Sequence, residues 1–282
     1  MMPKRVAQTP VAQAITDYTG SGPFKFVQKE FQPGVKTVYE KNTDYVPRKE
    51  APSWTSGGKV VNVDRVEWVA MADPMTTVNA LLGGEVDYIE TVPFDLVPMV
   101  KGAPDLTLRV LDKMGYQPMY RFNQLNAPFD NKLVRQAAMY AVGQDDILKA
   151  QVGDPEFYKT CGAVFGCNLP YSSNTRAHMI VPSNIEKAKA LLKEAKYDGA
   201  PVVILHATDI AMASAIPVVM AQQLRQAGFN VQLQAMDFMT MLSRRANRDV
   251  PAKGGWSIFV TTWHNSETVS YTHLRAHETS LH

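Results

Sequence analysis

Residues 122–142 read FNQLNAPFDNKLVRQAAMYAV. An extended run ending in Phe122 and Asn123 enters an Asn-x-Pro-Phe-Asp turn, and a short helix follows. Asp130 is placed to cap that helix, because its carboxylate can accept the free amides of a first turn. Leu133, Val134, Ala137, Ala138 and Ala141 recur at helical spacing and form one apolar face. Gly143 stands where the helix should end. Arg135 lies beside the apolar face. Its plainest role is a structural ion pair or a clamp on backbone carbonyls, with ligand contact as the alternative. Asn123 has a similar pair of readings: it ties down a crossing strand, or it touches a ligand.

Outward from this segment the elements follow from local signals. Upstream, GSGPF is a turn, KFVQKEF alternates, Pro33-Gly34 turns again and VKTVYE alternates, so Gly20 to Glu40 is expected to form paired strands. GSGPF lacks both the Gly-x-Gly-x-x-Gly spacing and a Gly-Lys-Ser/Thr ending, which excludes a nucleotide phosphate loop. Val63 to Val69 is a strand. Asp73-Pro74 opens a helix that runs through Leu82 and stops at Gly83-Gly84. GGEVDYIE, with Glu85 and Asp87 as turn and strand-end residues, is expected to be a strand, as is Leu106 to Val110. Met114 to Asn123 is extended.

Downstream, Ser183-x-x-Glu186 is a capping box starting a helix through Ala195. Val202 to Leu205 is a short apolar strand suited to a sheet covered on both faces. A helix closes at Ala227-Gly228, and Phe229 to Gln234 alternates. Strand, helix and strand of this length make a parallel βαβ unit. Asp237 to Ala246 is a helix, Trp256 to Val260 a strand, and Met236, Met239 and Met241 read as core packing.

The bulk numbers narrow the function. The 282 residues are 45% hydrophobic and 20% charged, with a net charge of +2 from 29 basic and 27 acidic residues. That length supports a large core and two domains, and the mixed charge excludes a nucleic-acid surface. No apolar run approaches the ~20 residues a membrane span needs, and the opening MMPKRVAQTP has no apolar signal-peptide region. Hydrolase signatures of the Gly-x-Ser-x-Gly and His-Glu-x-x-His kind are missing. His178 and His206, the only histidines before the terminal region, read as structural. Cys161 and Cys167 stand close together in CGAVFGC. They are reduced thiols in a cytosolic protein or a disulfide in an exported one.

Several motifs together resemble the extracellular solute-binding proteins, family 5, the peptide-, nickel- and oligosaccharide-capturing receptors of ABC importers. Residues 122–142 are similar to a signature of that family. GSGPF followed by Asn42-x-x-Tyr45 resembles its Gly-Thr/Ser-Gly-Pro-Tyr/Phe and Asn-Pro-x-Tyr motifs. The strand, Asp-Pro, helix and Gly-Glu-Val-Asp series, the helix Ala188-x-x-Leu191-Leu192-x-x-Ala195 and the helix-to-strand turn at Gly228 extend the likeness.

The resemblance implies an α/β, two-lobed, type II periplasmic-binding-protein-like fold with an incomplete first lobe. Residues 1–112 would be the C-proximal part of the first lobe and 113–268 the second lobe. Residues 269–282, VSYTHLRAHETSLH, would be a non-native tail in which His273, His277 and Glu278 carry no metal site. It further implies a monomeric periplasmic protein whose signal peptide lies outside the sequence. Such a protein is no enzyme, needs no cofactor or metal, and captures an oligopeptide or related solute between its lobes for ABC permease subunits of the inner membrane. Gly115, Tyr116, Asn123 and Trp263 are the implied ligand-binding residues. Tyr116 and Trp263 would be apolar or stacking walls and Asn123 a hydrogen-bonding group. Cys161 and Cys167 would form a structural disulfide. Peptide-binding members often carry an acid just after the Trp, where this sequence has His264-Asn265-Ser266. The competing readings are a hydrolase, or a cytosolic regulatory or chaperone-like module on the same fold.

Overall fold

A computed structural model describes residues 3–10, 13–53, 56–167, 169–175 and 177–265. The tail at 269–282 therefore lies outside the described residues. Two compact units divide between Ile89 and Glu90, upstream of the expected boundary at 112/113. The segment after Glu90 is held to later residues. Lys101 Nζ sits 2.6 Å from Glu156 Oε2, and the Phe94 and Phe157 rings are 6.2 Å apart.

The first unit contains α1 (Lys4–Ala7), β1 (Phe24–Phe26), β2 (Lys36–Lys41), β3 (Arg65–Val69) and α2 (Pro74–Leu82). Its three strands form an antiparallel sheet in chain order. Strand alternation sorts the two faces. Phe26, Tyr39 and Trp68 share one face, with ring separations of 5.8 and 6.3 Å. On the other face Arg65 donates to Glu67 at 2.7 Å, Glu30 at 2.6 Å and Glu40 at 3.4 Å.

Of KFVQKEF only Lys25 and Phe26 are in a strand, the end of β1; Gln28–Glu30 winds into a 3-10 turn and brings Glu30 onto Arg65. Asp73 caps α2 as expected, accepting from Thr76 N at 2.7 Å. GGEVDYIE forms no strand. Glu85 N and Val86 N turn back onto Ala80 O, at 2.8 and 3.4 Å, to close the helix instead. Leu106 to Val110 is also outside any strand.

The second unit runs α3 (Val97–Lys101), β4 (Tyr116–Phe122), α4 (Lys132–Ala141), α5 (Gln144–Gln151), α6 (Ile185–Glu194), β5 (Val202–Ala207), α7 (Ala215–Gln226), β6 (Val231–Met236), α8 (Phe238–Arg244) and β7 (Ile258–His264). The sheet order is β4-β7-β5-β6; β5 is parallel to β6 and β7, and β4 is antiparallel to β7. Alternation along β5 supplies both cores. Val202 and Ile204 join Phe129, Val134, Ala138, Leu191 and Leu224 under α4, α6 and α7, while Val203 and Leu205 join Trp256, Phe259 and Met241. Burial on both faces is why this strand is an unbroken apolar run. None of the described helices is long and apolar enough to cross a membrane.

Two caps sit one residue beyond the expected position. Asn131, not Asp130, caps α4 by accepting from Leu133 N at 2.9 Å. The Asp130 carbonyl is instead one of two acceptors for Arg135, which donates to Phe129 O at 2.6 Å and Asp130 O at 2.9 Å. The arginine is a carbonyl clamp. Asn184, not Ser183, caps α6 by accepting from Lys187 N at 2.9 Å. Ser183 packs on Gly143 so closely that a Cβ there would lie 2.8 Å from Ser183 Oγ. Gly143 opens α5 rather than closing α4, and its N–H donates to buried Gln223 Oε1 at 3.1 Å. Met241 is buried, but Met239 is 68% exposed, so the methionine cluster is not all core.

Asn184→Ala is expected to lower unfolding free energy by about 1 kcal/mol, with a smaller loss for Ser183→Ala; denaturant melts of both variants check the order. A second expectation concerns acid. Hydrogen bonds from Arg65 hold the Glu30 and Glu67 carboxyls below their ordinary value of 4.5. A carboxylate lowered in the folded state stabilises it above the unfolded value, and that contribution fades as pH falls through the folded value. Arg65→Met should therefore lower the melting temperature at neutral pH and shrink the further loss seen below pH 4.5, read from thermal melts across pH.

Candidate functional site

The polar side chains that converge in the second unit lie where β4 begins and β7 ends. A tight turn leads into β4. Asp112 Oδ1 accepts from Met114 N at 2.9 Å, and Gly115 takes φ +72°, a left-handed conformation suited to glycine. Asn265 ties the exit of β7 to this turn, through its backbone N to Gly115 O at 3.0 Å and its Nδ2 to Met114 O at 2.7 Å.

The register pairs Tyr116 with His264, Gln117 with Trp263 and Met119 with Thr261. Side chains alternate across a strand, so two different surfaces arise. On one, the Tyr116 and His264 rings lie 3.9 Å apart, and His264 Nδ1 is 3.0 Å from Asp112 Oδ2. Tyr120 continues this face inward, where burial pushes its phenol above the ordinary value and keeps it neutral. On the other surface are Gln117, Thr261 and Trp263.

The loop from Cys161 to Cys167 is fixed against this second surface. Gln117 Nε2 donates to Ala163 O at 2.9 Å. Gln144, at the start of α5, accepts from Cys161 N at 2.7 Å and donates to Cys161 O at 2.6 Å. Cys161 and Cys167 are joined by a disulfide. At Gly166 an added Cβ would overlap the Asn265 carboxamide, so the loop backbone is the surface on which Asn265 rests.

Gly115, Tyr116 and Trp263 are thus brought to one end of the sheet, with Tyr116 and Trp263 on opposite faces. Asn123 is not brought there. It follows the seven-residue β4, roughly 20 Å away at ~3.3 Å per residue, and is 1% exposed. Its N–H donates to Ser257 O at 2.9 Å, its Nδ2 donates to Trp256 O at 3.0 Å, and its Oδ1 accepts from Leu125 N at 3.1 Å. Asp112, Gln117, Thr261, His264 and Asn265 were not singled out in the sequence as site residues. The signal available was alternation past Val260, which the strand expected at Trp256 to Val260 cut short. His206 is held by Ser214 O at 2.8 Å, and no cluster of three or more metal-ligating side chains occurs among the described residues. Stacking rings, carboxamides and a histidine–carboxylate pair make a surface equipped to hold a polar solute.

The chain belongs to the bacterial extracellular solute-binding proteins, family 5, whose middle-region model matches residues 3–279. Its fold class is mixed α/β of the type II periplasmic-binding-protein kind. Among relatives, it is 40% identical over 264 residues to a probable peptide ABC transporter periplasmic-binding protein of Sinorhizobium fredii, covering 93% of this chain and 50% of that protein. It is 28% identical over 252 residues to the glutathione-binding protein GsiB of Pectobacterium atrosepticum, covering 86% of this chain and 44% of that one. The solved structure of the Helicobacter pylori ABC transporter-associated periplasmic binding protein DppA, in complex with the peptide STSA, matches with a TM-score of 0.69 at 21% identity, covering 90% of this chain and 44% of DppA. The chain therefore spans about half the length of the curated relatives it matches.

Gly166→Ala is expected to cost about 1–3 kcal/mol through overpacking against Asn265. Ala163→Gly, in the same loop but without that contact, provides the comparison in chemical denaturation.

Proposed function

We propose that this chain is part of the solute-binding component of an ABC importer. It would hold a peptide or related small solute at the exposed end of the β4-β7-β5-β6 sheet and deliver it to the importer's membrane permease. The observation that carries this reading is that Tyr116 and His264 on one face, and Trp263 with the neighbouring carboxamides on the other, gather at one sheet end, by the carboxyl end of β7. Ligands of open α/β sheets lie outside the carboxyl ends of the strands. A few placed polar groups among aromatic walls are the usual makeup of a small-molecule site.

Tyr116 and Trp263 act as stacking walls, one for each face of the strand pair. Gly115 supplies the turn that presents Tyr116. Asn123 acts from the far end of β4 by holding its pairing to β7. The peptide and glutathione named for the relatives, and the peptide in the DppA complex, support a peptide-like solute. The relatives' names also support a periplasmic location.

The test is a thermal-shift screen of the longest protein the gene encodes, with trialanine, glutathione and Ser-Thr-Ser-Ala. A bound solute at a hundred times its Kd should add about 2.7 kcal/mol of stability. Tyr116→Ala and Trp263→Ala should weaken that response at unchanged fold. Asn123→Ala should instead lower the solute-free melting temperature, because it leaves buried backbone groups unpaired at a cost of about 1–3 kcal/mol. A protein that responds to none of the three solutes contradicts the reading.

A further inference from the structure

Buried polar side chains of the second unit are tied to the backbone. Asn123 bonds Trp256 O and Leu125 N, Gln223 bonds both polar groups of Gly143, and Ser257 Oγ accepts from Val203 N at 3.0 Å. Gln117 Oε1 and Thr261 Oγ1 differ: both atoms are buried, and neither has a hydrogen-bond partner among the described residues. A buried oxygen left in this condition costs about 1–3 kcal/mol, and each such atom in a native fold calls for an explanation.

Their placement supplies one. The register pairs Gln117 with Trp263 and Met119 with Thr261, so Gln117, Thr261 and Trp263 share a face and the two oxygens stand at diagonal positions. The orientation of the Gln117 amide is dictated by its partner. Ala163 O can only accept, so Nε2 must face it at 2.9 Å, and Oε1 necessarily points the other way. The loop that fixes this geometry is closed by the Cys161–Cys167 disulfide and held by Gln144. A carboxamide oxygen accepts only, and a hydroxyl oxygen accepts as readily as it donates.

We propose that Gln117 Oε1 and Thr261 Oγ1 are the polar anchors of the solute site beside Trp263, and that both receive N–H groups from a peptide-like solute. The proposal rests on the solute-binding reading above. Diagonal positions on paired strands are about 7–8 Å apart, a span that an ammonium or amide group with more than one N–H bridges once the side chains reach inward. The anchors are neutral acceptors, so they recognise the direction of an N–H bond rather than a full charge. The disulfide loop then acts on specificity through Gln117: it sets which end of the amide faces the solute.

Thr261→Val is the decisive variant, because it removes the oxygen and keeps the shape. Calorimetric titration uses trialanine, glutathione and Ser-Thr-Ser-Ala with the longest protein the gene encodes, beside solute-free melts. The expected result is an affinity lower by about fivefold to tenfold, the size of one hydrogen bond, with a melting temperature equal to or above that of the unmodified protein. Thr261→Ser should restore the affinity. Gln117→Met should lose affinity similarly and also lose some stability, since it gives up the bond to Ala163. Unchanged affinity in Thr261→Val and Gln117→Met overturns the proposal while leaving the solute-binding reading intact. A lower melting temperature with unchanged affinity does the same and identifies a bound water as the partner. Failure of the unmodified protein to bind any of the three solutes contradicts the solute-binding reading itself, and the proposal with it.

Discussion

The antiparallel pairing of β4 with β7 is the constraint on which the second unit depends. It runs without a break from Tyr116↔His264 to Phe122↔Ile258, and it joins segments far apart in the chain. A slip of one residue would send every side chain of the slipped strand to the other face. Tyr120, Phe122, Val260 and Ile258 lie in or against the larger core, and Phe259 lies in the smaller one, so packing forbids the slip. Once the core has set the register, the faces of the residues beyond it follow. Tyr116 must stack on His264, and Gln117 must stand beside Trp263. The apolar half of the strand pair thus decides the geometry of its polar half.

Carboxamides do much of the fastening around that pairing. Gln117 reaches Ala163, Gln144 spans both polar groups of Cys161, Gln223 spans those of Gly143, and Asn126 donates to Arg248 O and Asp249 O at 3.2 Å each. An amide side chain carries a donor and an acceptor, so it satisfies a loop backbone without bringing a charge out of water. Apart from the His264–Asp112 pair, the ion pairs among the described residues sit elsewhere, on surfaces where each is worth little alone. At the end of the β4-β7 pair the fastening comes from Gln117, Gln144, Asn265 and the disulfide loop.

Local chemistry made much of the fold legible. The Asp73-Pro74 start of α2, the apolar spacing of α4 and α6, the β5-α7-β6 unit and the helix beginning at Asp237 could all be read directly, because each signal concerns neighbours in the chain. Misplaced elements failed for reasons outside their own sequence. GGEVDYIE and Leu106 to Val110 have strand-like composition, but neither has a strand partner in the structure. Strand propensity describes a fit to a half-buried pleated surface, and without a partner it decides nothing. The caps fall on Asn131 and Asn184 instead of Asp130 and Ser183: Arg135, within α4, takes the Asp130 carbonyl, and Ser183 packs on Gly143.

By itself the sequence determined the class of protein and the order of most helices and strands, since family motifs and periodicity are written in contiguous residues. Only the tertiary structure decided that Tyr116 and Trp263 face opposite ways, that Asn123 is buried at the other end of β4, and that Asp112, Gln117, Thr261, His264 and Asn265 gather at the same sheet end as Tyr116 and Trp263. Those facts depend on a register between strands separated by most of the unit. Register is chosen by the packing of two cores at once, which no local stretch of the chain contains.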